Sequence, residues 1–283
     1  QHAVELQFTA EALADRNRSD ALPAKVQQEW EAFKKNVLVT SKAASYEAHS
    51  TLLERVLLMI KHVGDTSNLI LDPDLDSYYL MDVTLLALPE TQRRYASALE
   101  VFEELSQQSE MSNTDRVKLA VLGAQFAADF SRLATDCNTA DVEDKNFYGR
   151  IAGLQSGLQP ALKRYEAVVQ PMLQTLTCIQ ETGLKEEFAP LVKRLLAQTD
   201  IARIASFRFW HESVGWLDEL LDRRLDHYHQ LRAWSLFLAA VAWLVAAGLV
   251  TLITWSITGP LRQVVGMLDT AANEVALGVE EIS

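Results

Sequence analysis

Apolar residues recur three and four positions apart along almost the whole chain, and no stretch alternates convincingly at period two. That spacing predicts helices throughout and no sheet. Residues 1–20 read as a helix ending at Asn17-Arg18-Ser19-Asp20, with Pro23 just inside the next start. Within residues 24–71 only Gly64 interrupts, so one helix of roughly 70 Å is expected there. Asp72-Pro73-Asp74 ends it. Asp76 or Ser77 caps a short helix to Ala87, Pro89 opens another to about Met111, and Ser112-Asn113-Thr114 caps the next to about Cys137. Residues 138–144 read as a polar loop. The following helix, to Thr182, is weakened by Gly149, Gly153, Gly157, Pro160 and Pro171. Gly183 is a natural C-cap, and a last helix starts at Lys185.

Against this amphipathic background one stretch is apolar on every side. Residues 234–257, WSLFLAAVAWLVAAGLVTLITWSI, hold no charge. As a helix they span about 36 Å, enough for a ~30 Å hydrocarbon layer. Trp234 and Trp255 stand near its two ends, where interfacial anchors belong. We therefore divide the chain into residues 1–232, a helical domain; 233–257, a transmembrane helix; and 258–283, a helical continuation. The fold class expected is all-α, an elongated up-and-down bundle of six or seven helices, with two stacked four-helix modules as the preferred architecture. Beyond the span, Leu261, Leu268, Val275 and Ile282 repeat at sevens, a coiled-coil seam. The chain opens at Gln1 on a helical pattern without a signal-peptide core, so a removed signal, a removed first membrane helix or a trimmed start is expected.

Charge and cysteines act mainly by exclusion. With 26 Lys and Arg against 38 Asp and Glu the net charge is −12, which argues against a nucleic-acid surface and fits an extracytoplasmic domain. Cys137 and Cys178 define no disulfide framework. On the predicted antiparallel helices they lie roughly 50 Å apart, far beyond the ~7 Å a disulfide tolerates, so no pairing is expected. Residues 72–77, DPDLDS, begin like a calcium loop, but Ser77 and Val83 stand where glycine and glutamate are needed. His227 and His229 are two apart and point to different helix faces. No nucleophile elbow, phosphate loop or metal pair occurs. Neither an enzyme nor a cofactor or metal site is expected.

The helix before the span carries the candidate ligand group. On a helical wheel Leu196, Phe207, Trp210, Val214, Leu217 and Leu221 share one arc, with Phe209, Trp216 and Leu220 beside it. Arg203 falls inside that arc and Asp200 at its edge. An arginine facing a bundle interior is either one half of a structural pair or a holder of an anion such as a small carboxylate, and both readings stay open. Tyr78 and Tyr79 are lesser ligand candidates, their hydroxyls lying near Asp82.

Residues 257–261, ITGPL, resemble the start of a HAMP linker. The continuation through 270–283 departs from a typical HAMP connector and is more similar to methyl-accepting chemotaxis proteins that pass quickly into their signalling coiled coil. Residues 67–82, SNLILDPDLDSYYLMD, resemble a motif of all-helical sensor regions in chemoreceptors, sensor kinases and diguanylate cyclases, and residues 217–225, LDELLDRRL, their pre-membrane helix. The likeness covers residues 67–82 and 217–283; elsewhere it is one of pattern. It implies the ligand-sensing part of a homodimeric receptor in the bacterial inner membrane, with residues 1–232 periplasmic. It also implies a further cytoplasmic hairpin that engages a coupling protein and a histidine kinase. Domain size is similar to that of helical bimodular sensors, whose ligands include small organic acids, but their ligand residues do not map onto this chain. A kinase or cyclase output, or a membrane-anchored scaffold without a small ligand, are the alternatives.

Overall fold

A computed structural model describes residues 2–108, 110–181 and 185–280. Helices α1 (His2–Glu5), α2 (Ala10–Asp15), α3 (Pro23–Asn36), α4 (Lys42–Thr66), α5 (Leu75–Met81), α6 (Leu88–Ser106), α7 (Asn113–Glu143), α8 (Leu154–Glu181) and α9 (Lys185–Glu280) account for most of them, and no strand occurs among the described residues. The fold is all-α and up-and-down, as the periodicity predicts. Two compact units are distinguished, residues 1–223 and 224–283.

In the first unit the core is one four-helix bundle. Helices α5 and α6, joined through a π-helical turn at Asp82–Ala87, pack with α7, α8 and the first part of α9. Alternating direction is fixed by the partners. Arg94 of α6 meets Asp129 of α7, Arg116 of α7 donates to the Gln180 carbonyl of α8, and Arg164 of α8 meets Glu212 of α9. The buried face of α9 follows a heptad. Phe188, Leu195, Ala202 and Phe209 alternate with Val192, Thr199, Ser206, Ser213 and Leu220.

Residues 1–223 form one unit, in which the two stacked four-helix modules expected from the sequence are not distinguished; its main core has buried members from Leu80 onward, and Leu13, Ala21 and Val26 are buried apart from it. The single long helix expected over 24–71 is instead a hairpin of α3 and α4. Its break carries neither glycine nor proline. Ser41 caps α4 by accepting from the Ala44 N–H, behind the β-branched run Val37, Val39 and Thr40. Small and polar residues such as Ala32, Asn36, Thr40, Ala44 and Ala48 line the space between the two helices, leaving an open cleft of about 460 Å³ rather than a second core. The expected helix over 1–20 is likewise broken, by left-handed Gln7 (φ 55°), and it ends where expected, near left-handed Asn17 (φ 54°).

Two further boundaries move. Residues 138–143 continue α7 rather than forming a loop, and the turn falls later, where Tyr148, Gly149 and Gly153 take positive φ. Pro160 and Pro171 sit inside α8 without ending it. Cys137 is buried on α7 and Cys178 exposed on α8. Since Gln159 of α8 bonds to Asn138, Cys178 lies nearly twenty residues, about 28 Å, along α8 from Cys137, and no disulfide joins the two. Gly183, expected as a C-cap, lies outside the described residues.

The second unit is the later part of α9. It holds the one helical stretch among the described residues that is long and apolar enough to cross a membrane, with a window of mean hydropathy 2.5, none of it buried within the protein. Its large residues face outward, Trp243 at 71% and Trp255 at 83% exposure. Leu261 and Leu268 of the predicted coiled-coil seam are exposed as well; the side chains of Val275 and Ile282 lie outside the described residues.

Candidate functional site

The motif residues 67–82 end where the backbone departs from α geometry. Asp74 stands at the N-cap position of α5 without a side-chain capping bond, the Asp72 carboxylate accepts from the Asp74 N–H at 3.0 Å, and Asp76 accepts from the Ser77 N–H at 2.7 Å. These carboxylates therefore shape a turn and a helix start, as the failed calcium-loop pattern predicts. Among the described residues no group of three or more His, Cys, Asp or Glu could hold a metal ion. One turn later the Asp82 N–H reaches both the Tyr78 and Tyr79 carbonyls, and the Leu88 N–H bonds back five residues to Val83. Such π-turns recur at functional sites. Pro89 follows directly. It has no N–H to give, and the wider turn accommodates it without breaking the helix.

The side chain at the start of this turn is gripped from α7. Arg132 forks onto Asp82, Nε to Oδ2 at 2.8 Å and a terminal nitrogen to Oδ1 at 2.5 Å. Asp136, one helical turn along α7, brings a second carboxylate to the same place, with Oδ2 3.8 Å from the Arg132 Nε. Asp82 and Asp136 are 8% and 7% exposed, and the Asp136 Oδ2 is enclosed without a hydrogen-bond partner. Burial first, and Asp82 beside it second, push the Asp136 carboxyl up to about 7, against the pull of Arg132. Burial also pushes the neighbouring Cys137 thiol up to about 12. A π-turn, a bidentate ion pair and a second buried acid thus meet at one point.

Deeper in the bundle lies an aromatic layer. The Tyr95 and Tyr165 hydroxyls bond to each other at 2.9 Å, Phe126 packs on Tyr95 and Phe209 stacks on Tyr165. Burial raises both phenols above their ordinary value. Gln92 of α6 bonds to Ser206 of α9 beside this layer. Between α8 and α9 a smaller groove of about 230 Å³ runs past Tyr165, Ile201, Arg208 and Phe209.

Arg203 is not in the bundle interior. The inward arc drawn on the helical wheel is displaced by one position: Phe207 and Val214 are 48% and 36% exposed, and Ser206 and Ser213 are buried, together with Leu217 of the arc and Phe209 and Leu220 from its flank. The physical reason is that the true seam carries Thr199, Ser206 and Ser213, which hydrophobicity alone does not mark as inward. Arg203 pairs with Asp200 of its own helix at 2.7 Å, the structural alternative. Tyr78 and Tyr79 are half-buried, packed edge to face at 5.4 Å, immediately before Asp82. Tyr78 and Tyr79 precede Asp82 by four and three residues on the same helical run, and Arg203 lies elsewhere, on α9.

Arg132 and Asp136 were missed from sequence. The available signal was an arginine and an acid four apart on a helix otherwise facing a core; what it pairs with, fifty residues away, has no local trace. No family model, curated protein or solved structure matches this chain.

Proposed function

We propose that this chain is the sensing and transmembrane-signalling segment of a bacterial receptor of the methyl-accepting chemotaxis type. In this reading residues 1–232 face the periplasm, 233–257 cross the inner membrane and the remainder leads to a cytoplasmic output. The observation that carries it is α9 itself. One helix supplies a full seam of the four-helix core and also the uncharged, outward-facing apolar stretch. A helix shared in this way couples packing inside the bundle to whatever follows the bilayer. A helical core with two available packings is what a ligand has to bias. The motif resemblance at 67–82 agrees, because those residues lead directly into the π-turn and its buried ion pair. In this reading the receptor is a homodimer, works through a coupling protein and a histidine kinase, and is not itself an enzyme. A kinase or cyclase output fits the same helix.

A thermal-shift screen of the full chain in lipid nanodiscs, against a panel of small organic acids and amines, tests the proposal. A ligand at a hundredfold excess over its Kd stabilises by about 2.7 kcal/mol, which such a screen detects. Saturable stabilisation by one member is expected. Uniform indifference across the panel would favour a membrane-anchored scaffold.

A further inference from the structure

Three charged groups meet under the π-turn, and they do not cancel. Asp82 and Asp136 bring two carboxylates, and Arg132 brings one guanidinium, whose two nearest nitrogens are already committed to Asp82. With both acids ionised, two carboxylates nearly closed to water, held by one half-exposed guanidinium, would carry one negative charge in excess. Among the described residues no other cation acts on Asp136. The groups acting on Asp136 are Asp82 from the π-turn and Arg132 from α7. Arg94 on α6 is occupied by Asp129 and Glu90, and α8 offers the neutral amide of Gln159 near Asn138. The enclosed Asp136 Oδ2 has no donor.

We propose that Asp136 is a proton-binding site through which this domain reads pH, a bound proton holding the π-turn against α7 and its release loosening that contact. The inference rests on the sensing role proposed above and names a ligand for it. Protonated, Asp136 is neutral, and the one remaining pair, Asp82 with Arg132, is balanced. When Asp136 gives its proton to water, two adjacent carboxylates repel each other and compete for one guanidinium. Arg132 is drawn from Asp82 toward Asp136, and Asp82, the first residue of the π-turn, loses its fork. The π-turn is the element that responds, because Asp82 is its first residue and the Asp82–Arg132 fork ties it to α7.

The sign follows from the two states of the chain. Unfolded, Asp136 loses its proton near the ordinary 3.8; folded, it keeps it to about 7. Its contribution to stability is therefore greatest at acid pH, declines as pH rises between those values and is flat above them.

The full chain in lipid nanodiscs, labelled with carboxyl-13C aspartate, gives the test. One resonance is expected to titrate with a midpoint near 7 and to be missing in Asp136→Asn. Amides 83–88 are expected to exchange about tenfold faster at alkaline than at acid pH, after correction for intrinsic exchange, and to lose that difference in the variant. Should Asp136→Asn not fold, Asp82→Asn takes its place and is expected to move the midpoint downward by removing the adjacent charge. An Asp136 resonance that titrates below about pH 5, or an exchange difference that persists unchanged in the variant, overturns the proposal. Neither readout needs an output domain or an organic ligand, so this failure is separate from that of the receptor reading, which is decided by the ligand screen.

Discussion

At the scale of single residues, the sharpest constraint is the notch that receives Trp216. A Cβ added to Gly157 would lie 2.1 Å from the Trp216 Cζ2 and 2.8 Å from its Cε2, while Gly153, at φ 111°, stands 3.4 Å away in the same sense. The indole of α9 therefore seats directly on the backbone of α8. Gly157→Ala is expected to lower the unfolding midpoint by an amount equivalent to about 1–3 kcal/mol, and in a Trp216→Ala background to cost almost nothing. Thermal unfolding of the four variants measures the coupling. Replacing Arg132 by alanine is expected to cost about 2 kcal/mol or more at neutral pH, since Asp82 is left buried and unpaired; the same unfolding assay reads it. Little of this was visible in sequence. Gly157 looked like a helix weakener because its partner is some sixty residues away. Tyr78 and Tyr79 drew attention through a motif whose decisive residue is Asp82.

The elements themselves were largely legible, and their faces less so. Helix α9 shows why. Its periodicity is evident, but three positions of the buried seam are hydroxyl residues, so an apolar arc drawn from the sequence falls one residue to the side, onto Phe207 and Val214. Those hydroxyls are not equivalent. Thr199 bonds to the Leu195 carbonyl and Ser206 receives Gln92, whereas the Ser213 Oγ is buried with no partner. Two substitutions one heptad apart should thus act in opposite directions. Ser213→Ala is expected to stabilise by about 0.5–1 kcal/mol, and Ser206→Ala to destabilise by about 1–3 kcal/mol through the stranded Gln92 amide. Denaturant midpoints of the two variants against the parent provide the comparison. Helix ends were lost where caps are made without glycine or proline, as between α3 and α4.

For the whole molecule, fold class and the apolar stretch could be read directly, because both rest on composition over long windows. The number of cores could not: it depends on whether α3 and α4 fill the space between them, and their facing alanines leave it open. If the proposed receptor reading holds, α9 is the link between bundle and output. Two glycines inserted after Leu231 should then leave ligand affinity unchanged while abolishing any ligand-induced change at a spin label on Met267. A change of undiminished size would mean that α9 is not the carrier. The π-turn has its own bearing on the chain's history. Such a turn is an α-helix with one surplus residue, the usual trace of a single-codon insertion that the fold absorbed instead of rejecting. Removing one position, Leu86 for example, would restore regular winding at the cost of rotating α5 against α6 by ~100°. Descendants or cousins of this gene lacking that residue would keep their helix content yet could not keep Asp82 on Arg132. A gap at this position in an alignment would therefore separate chains with the buried triad from chains without it.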